Sequence, residues 1–277
     1  MVLFPNCKIN LGLDIIRRRP DGYHDIETVM IPVPWCDILE IVPAPPDAQA
    51  DTLTVTGNTI DCPPRHNLVM KAVAAVRRER ELPYVDIHLH KIIPDGAGLG
   101  GGSSDAAHTI IALDSLFELR MSDDRKASIA AGIGSDCPFF IYNRPMLASG
   151  TGTELRPVDI SLGGMTLIIA KPENVAVSTA RAYAGVTPAI PEMSLAKAIS
   201  APISDWTGTI TNNFEKSVFE AAPEIRQTKT AMERLGAAYT AMSGSGAAVF
   251  GLFNESISPD IVTRTFPGCT TFSCTMP

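Results

Sequence analysis

Pro94-Asp95-Gly96-Ala97-Gly98-Leu99-Gly100-Gly101-Gly102-Ser103-Ser104-Asp105-Ala106-Ala107 is the stretch on which the reading of this chain turns. It holds five glycines within the seven residues 96–102, followed by two serines. Before it, residues 85–93 alternate, with Val85, Ile87 and Leu89 on one side and Asp86, His88 and His90 on the other, the period of a half-buried strand. After it, Ala107, Ile110, Ile111, Leu113, Leu116 and Phe117 recur at helical spacing, so Ser103 or Ser104 is expected as the helix N-cap. A glycine-rich loop between a strand and a helix lets the backbone approach a ligand closely. Its N–H groups and the helix N-terminus then point at an anion, with the serine hydroxyls as further donors, and phosphate is the natural partner.

Familiar phosphate loops differ in their neighbours. A Walker A loop needs Gly-Lys-Ser/Thr, whereas Gly101 is followed by Gly102 and no lysine stands in the loop. Gly96, Gly98 and Gly101 satisfy G-x-G-x-x-G, but the acidic residue about 20 positions on that marks a dinucleotide site is missing. A protein-kinase loop would be followed by Val-Ala-Ile-Lys and His-Arg-Asp, and neither occurs.

Outward from the loop, residues 3–16 alternate with Ile9, Leu11, Leu13 and Ile15 on one side and read as a strand. Residues 17–22 end in Pro20-Asp21-Gly22, a turn. Strands are expected over 28–33 and 37–42, separated by Pro32, Pro34 and Trp35, and over 52–56 before Gly57-Asn58. Residues 67–80 read as a helix, and a second helix runs from near Ser122, with Asp123 and Asp124 in its first turn, to Gly132. The pattern restarts after residue 160, beyond Pro157 and at Gly163-Gly164, with strands over 165–170, 238–242 and 247–253. Helices are expected over 179–184 and within 212–235, and the proline-rich residues 186–204 form a loop-and-helix stretch. Two domains are expected, residues 1–158 and 159–277. Mixed strands and helices without regular βαβ alternation indicate the α+β class.

Composition narrows the function classes. The 277 residues are 45% apolar and 19% charged, enough for a sizeable core and unlike a disordered chain. A net charge of −7, with no basic run longer than Arg17-Arg18-Arg19, argues against nucleic acid as partner. The six cysteines show no Cys-x-x-Cys pair, so no structural zinc is expected. Residues 1–19 lack a signal-peptide pattern, and no apolar run approaches the roughly 18 residues of a membrane span. A cytoplasmic protein with reduced thiols is expected.

The loop resembles the P-x-G-x-G-L-G-G-G-S-S-x-A-A motif of the GHMP small-molecule kinases. Cys7-Lys8-Ile9-Asn10-Leu11-Gly12-Leu13 is similar to that family's N-terminal motif, and Met242-Ser243-Gly244-Ser245-Gly246-Ala247 to its C-terminal one. Asp21-Gly22-Tyr23-His24, His66-Asn67-Leu68 and Gly134-Ser135-Asp136-Cys137-Pro138-Phe139-Phe140 are similar to one branch. Members of that branch phosphorylate the 2-hydroxyl of a methylerythritol bearing a cytidyl diphosphate, in non-mevalonate isoprenoid synthesis. The resemblance spans residues 3 to 253. Asn6-Cys7 and Cys137 depart from the usual Ala and Val, and residues 186–204 match poorly.

This resemblance implies a two-domain GHMP kinase fold, with a ribosomal-protein-S5-domain-2-like N-terminal domain and a ferredoxin-like C-terminal domain. It also implies ATP as co-substrate, with Mg²⁺. Asp136 is then the catalytic base, although Gly-Ser-Asp-Cys-Pro read alone is a helix N-cap. Lys8 is implied beside it, keeping the base ionised and stabilising the developing alkoxide. Asn10 shares a strand face with Lys8 and is implied to bind substrate. Tyr23 and His24 are implied to hold the cytosine, with Tyr183 and Thr179 opposite them. Pro94 through Ser104 would bind ATP, with Asn67 and Lys91 near the adenine or ribose, and Ser243, Gly244, Ser245 and Gly246 would close over the substrate. A monomer or weak homodimer is expected. Other GHMP kinases, a non-catalytic nucleotide- or RNA-binding module and a dinucleotide oxidoreductase are the rival readings.

Overall fold

Apolar alternation dominates the start of the chain, and strands dominate there. The computed structural model describes residues 1–60 and 62–277. The chain runs through β1 (Val2–Leu3), β2 (Asn6–Arg18), β3 (His24–Cys36), β4 (Ile38–Pro43) and β5 (Thr52–Gly57) before its first long helix, α1 (Leu68–Glu79). Strand β6 (Val85–Lys91) leads into the glycine-rich segment, and α2 (Gly101–Leu116), α3 (Asp123–Ala131) and α4 (Cys137–Tyr142) follow. Then come β7 (Met146–Ser149), β8 (Glu154–Pro157), β9 (Thr166–Pro172), α5 (Thr179–Ala184), α6 (Leu195–Ala198), α7 (Glu215–Ala221) and α8 (Pro223–Arg234). The last elements are β10 (Tyr239–Met242), β11 (Val249–Phe253), α9 (Pro259–Thr265) and β12 (Cys269–Thr275).

The chain folds as two compact units: residues 1–7, 34–95 and 100–144 in one, residues 8–33, 96–99 and 145–277 in the other. This division differs from the expected cut after residue 158. The cause is strand pairing: Thr28, Val29 and Met30 of β3 pair with Ala148, Leu147 and Met146 of β7, so the early strands join the later part of the chain. Both expected strands are present, 37–42 as β4, but β3 is longer than the expected 28–33 and runs through both prolines. Pro32 and Pro34 lie beyond the stretch paired with β7, where a missing N–H costs that ladder nothing.

Unit one is built on a sheet of order β1-β4-β6-β5, with β4 antiparallel and β5 parallel to β6. The register places Leu39 opposite Leu89 and Ile41 opposite Ile87, all four buried, while Glu40 faces His88 on the exposed side. Helix α1 starts at an N-cap, Asn67, whose Oδ1 accepts from the Val69 N–H. Helix α2 packs on α1, α3, α4 and β4, burying Ala106, Ala107, Ile110, Ala112 and Leu113. Each buried Ile or Leu there contributes about 1.5–3 kcal/mol, which fixes the helix that carries the end of the glycine-rich segment.

Unit two contains two sheets, β2-β3-β7-β8 and β10-β11-β9-β12. The second is antiparallel throughout and carries α8. Pro223 starts α8, inside the expected helical stretch 212–235, because its missing N–H falls where the helix has no acceptor for it. Strand β2 buries Ile9, Leu11, Leu13 and Ile15 on one face, which leaves Lys8, Asn10, Gly12 and Asp14 on the other. That second face is buried too, and its polar groups define the candidate site.

Candidate active site

Gly96, Gly98 and Gly100 adopt φ values of +59°, +74° and +72°, a region open to glycine and costly to other residues. The alternation turns Ala97 and Leu99 into the interior, while the intervening glycines stay at or near the surface. A Cβ on Gly98 would run into the carbonyl oxygen of Ser243, so glycine is required there on two counts. The N–H groups of Ala247 and Ala248 donate to the carbonyls of Gly96 and Ala97, at 3.3 and 3.0 Å. Within unit two, residues 96–99 are thereby fastened to the turn between β10 and β11.

Helix α2 begins at Gly101, with left-handed Gly100 as its N-cap. The expected cap at Ser103 or Ser104 is corrected: Gly100 turns the chain earlier, and both serines lie in the first turn. The N–H groups of Gly101, Gly102 and Ser103 are the first-turn donors with no intrahelical acceptor, while Ser104 N already bonds the Gly100 carbonyl at 2.9 Å. Ser104 is fully buried, with its Oγ 3.2 Å from His108 Nδ1, so its hydroxyl faces the helix rather than the loop. Burial holds the His108 imidazole below its usual range. Ser103 is half-buried and hydrogen-bonds the Cys137 thiol, which burial pushes up to about 12.

In unit two the sequence-selected residues Lys8, Asn10 and Ser243 come together around the Gly98 carbonyl. Lys8 Nζ donates to that oxygen at 2.8 Å and to Asn10 Oδ1, and Ser243 Oγ donates to the same carbonyl at 2.9 Å. Asn10 Nδ2 donates to Thr28 Oγ1 at 2.9 Å, and Thr28 Oγ1 in turn donates to the Gly12 carbonyl at 2.6 Å. Ser243 is wholly buried and serves as a brace; Gly244, Ser245 and Gly246 continue the same turn. Asn212 was not selected from sequence, yet it fixes this turn, donating through Nδ2 to the carbonyls of Met242 and Gly244 at 2.7 and 2.8 Å.

The aromatic residues divide. The His24 ring stacks on Tyr183, with centroids 4.8 Å apart and planes 20° from parallel. Tyr183 also meets the edge of Phe214 at 4.9 Å. Tyr23 stands 66% exposed, its backbone N–H on Asp21 Oδ1 at 3.1 Å. Thr179 reaches Ser245, hydroxyl to hydroxyl, at 3.0 Å.

In unit one, Asp136 precedes α4 at the N-cap position, half-buried, and its side chain makes no capping hydrogen bond to that helix. The N-cap reading therefore holds for the position of Asp136, without a side-chain cap bond. Asn67 is 7% exposed, with its Oδ1 used as the α1 cap. Lys91, expected near the adenine or ribose, is 4% exposed and bonded to Asp37 and to Asp105, the latter at 2.7 Å. The correction has a simple cause, since a buried ammonium needs charged partners and two carboxylates stand within reach. Asp37 carried no signal beyond being an acid before an apolar strand, and Asp105 stood inside the motif without a role.

Asp14, on the polar face of β2, is pushed up to about 6 by burial and then by the nearby Glu27 carboxylate, against a hydrogen bond from Asn213. Among the described residues, no group of three His, Cys, Asp or Glu side chains is placed to hold a metal ion.

Residues 67–144 match the model of the GHMP kinases N terminal domain, and residues 194–266 that of the GHMP kinases C terminal. The chain is 49% identical over 255 residues to 4-diphosphocytidyl-2-C-methyl-D-erythritol kinase of Parabacteroides distasonis, covering 92% of each chain. It is 47% identical to the same-named protein of Bacteroides fragilis, again over 92% of each chain. A crystal structure of 4-(cytidine 5'-diphospho)-2C-methyl-D-erythritol kinase superimposes with a TM-score of 0.77 at 29% identity, covering 99% of this chain and 98% of that one. Mevalonate kinase of Methanococcus jannaschii shares the fold, with a TM-score of 0.73 at 14% identity, covering 100% of this chain and 98% of that one.

Proposed function

Since this chain belongs to the GHMP kinases, we propose that it transfers the γ-phosphoryl group of ATP to the 2-hydroxyl of 4-diphosphocytidyl-2-C-methyl-D-erythritol, a step of isoprenoid precursor synthesis. The observation that carries this reading is the 49% identity, along nearly the whole of both chains, to a relative of that name. The glycine-rich loop and the Lys8–Asn10 arrangement supply the chemistry it needs.

Phosphoryl transfer asks a protein mainly to position its reactants and to stabilise developing charge. In this reading the N–H groups of Gly101, Gly102 and Ser103, with the rest of the segment 94–104, receive the triphosphate. Asp136 accepts the proton of the attacking hydroxyl, and Lys8 offsets the negative charge that builds on that oxygen. Asn10 orients the same hydroxyl from the shared face of β2. In this reading Tyr23 and His24 hold the cytosine, which stacks on the open face of the His24–Tyr183 pair, whose rings lie 4.8 Å apart, with Thr179 beside it. Asn67 stays assigned to the adenine through its amide N–H₂. Mg²⁺ arriving with ATP would neutralise phosphate charge, held by the nucleotide's own oxygens and by water. The enzyme works in the cytoplasm as a monomer or weak homodimer.

Following ADP release with Mg-ATP and four acceptors tests the proposal: the cytidylated substrate, free methylerythritol, homoserine and mevalonate. Turnover confined to the cytidylated compound is expected. Turnover on another alcohol would retain a GHMP kinase and discard this substrate, and ATP binding without turnover on any of them would favour a binding module.

A further inference from the structure

Beneath the first turn of α2 lies a closed ion cluster that the proposed chemistry does not use. Lys91, Asp37 and Asp105 are 4%, 0% and 2% exposed. Asp37 accepts three hydrogen bonds as a carboxylate: Oδ2 accepts from Lys91, and Oδ1 accepts from the N–H groups of Ile92 and Ile93, the latter at 2.8 Å. Those two residues lead directly to Pro94, the start of the glycine-rich segment. Asp105 is different. Its Oδ2 accepts from Lys91 at 2.7 Å, while its Oδ1 is buried with no hydrogen-bond partner.

One ammonium thus faces two carboxyl groups, and full ionisation would bury a net negative charge, which a low-dielectric interior strongly opposes. A proton on Asp105 makes the cluster neutral and supplies a donor toward Asp37. The cluster also adjoins the anion-facing end of the helix. Asp105 is the fifth residue of α2, and a Cβ on Gly101 would stand 3.4 Å from Lys91 Nζ. Polyphosphate held by the N–H groups of Gly101–Ser103 brings several negative charges within about one turn of Asp105, where an ionised carboxylate repels them and a neutral one does not.

We infer that Asp105 is a positioning residue of the polyphosphate loop that is protonated while a polyphosphate is bound, so that nucleotide binding draws a proton into the Lys91–Asp37–Asp105 cluster. This rests on the reading of residues 94–104 as the polyphosphate loop. The charged groups facing Asp105 are Lys91, at the end of β6, and Asp37, just before β4; α1, α3 and α4, which also pack on α2, contribute none to the interactions described for it. Burial, and then the charge of Asp37, push Asp105 up to about 7 while Lys91 pulls the other way, which places its proton exchange near neutrality. Two neighbours titrate away from that range in the relevant directions: His108, on α2, is lowered by burial, and Cys137, on α4, is raised by it.

The test is calorimetric binding of Mg-ADP at pH 7.5 in buffers of low and high ionisation enthalpy, with the native protein and Asp105→Asn. Asparagine keeps an acceptor for Lys91 and mimics the neutral acid. The native protein is expected to take up about 0.5–0.75 proton more than the variant. Its affinity should fall above pH 7 with a slope approaching about tenfold per pH unit relative to the variant. Equal proton uptake and parallel pH profiles would overturn the inference while leaving the loop reading intact. Absence of Mg-ADP binding to the native protein would overturn both. A variant-free check is the infrared difference spectrum of the native protein at pH 8, where binding should add a carboxylic-acid carbonyl band; no gain in that band would contradict the inference.

Discussion

Lys8 and Lys91 are strand lysines almost wholly removed from solvent, at 2% and 4% exposure, and they fasten different parts of the same glycine-rich segment. Lys91 is bound to two carboxylates and sits behind Gly101, where the segment becomes a helix. Lys8 holds the middle of the segment itself, bonding the Gly98 carbonyl and the amide oxygen of Asn10. A lysine gripped by buried acids is part of the fold's charge balance. One bonded to the loop is, under the proposed function, placed for chemistry on what the loop receives. The two should therefore fail differently when removed.

Replacing Lys91 with Met carries the largest expected effect. It strands two buried carboxyls without their cation and should cost about 3–5 kcal/mol of stability, read by urea denaturation. Lys8→Met should instead act on turnover, lowering kcat about 10²-fold or more, with a stability loss of about 1–3 kcal/mol from unsatisfied oxygens. Equal stability losses in the two variants would erase the distinction between them. Gly98→Ala forces a Cβ against the Ser243 carbonyl at a φ of +74°. It should cost about 1–3 kcal/mol and raise the KM for ATP, a result that would tie the loop's shape to nucleotide binding.

Asp14 offers the smallest effect and a control outside both lysine clusters. Its folded pKa of about 6 exceeds the ordinary aspartate value of 3.8, so the stability it confers when protonated is lost as pH rises from about 4 through 6. Asp14→Asn should then stabilise the protein by about 1–2 kcal/mol at pH 7.5, after allowance for solvent screening, and by little at pH 4. Denaturation at the two pH values checks the sign.

Local signals carried much of this structure. The alternation of Ile9, Leu11, Leu13 and Ile15 and the helix start near Ser122 with its acidic first turn act within a few residues, and each appears where the sequence indicates. The α2 start was misplaced because a left-handed glycine can cap as a serine does, and a run of glycines leaves that choice open. The compact units differ from the expected cut because β3 pairs with a strand more than a hundred residues away. Lys8 and Lys91 look alike in sequence for the same reason. Asp37 lies 54 residues before Lys91, and nothing local marks it as a partner. Asn212 escaped selection similarly, since its two carbonyl acceptors lie about 30 residues on.

The most direct test of the central claim is phosphoryl transfer from Mg-ATP to 4-diphosphocytidyl-2-C-methyl-D-erythritol, followed by phosphorus NMR with the native protein and Asp136→Asn. Asparagine matches the shape of Asp136, which is only half-buried, so the variant should fold and bind nucleotide. It should lose about 10²–10⁴-fold in kcat while the native protein forms the 2-phosphate. Near-native transfer by the variant, or no 2-phosphate from the native protein, would contradict the account.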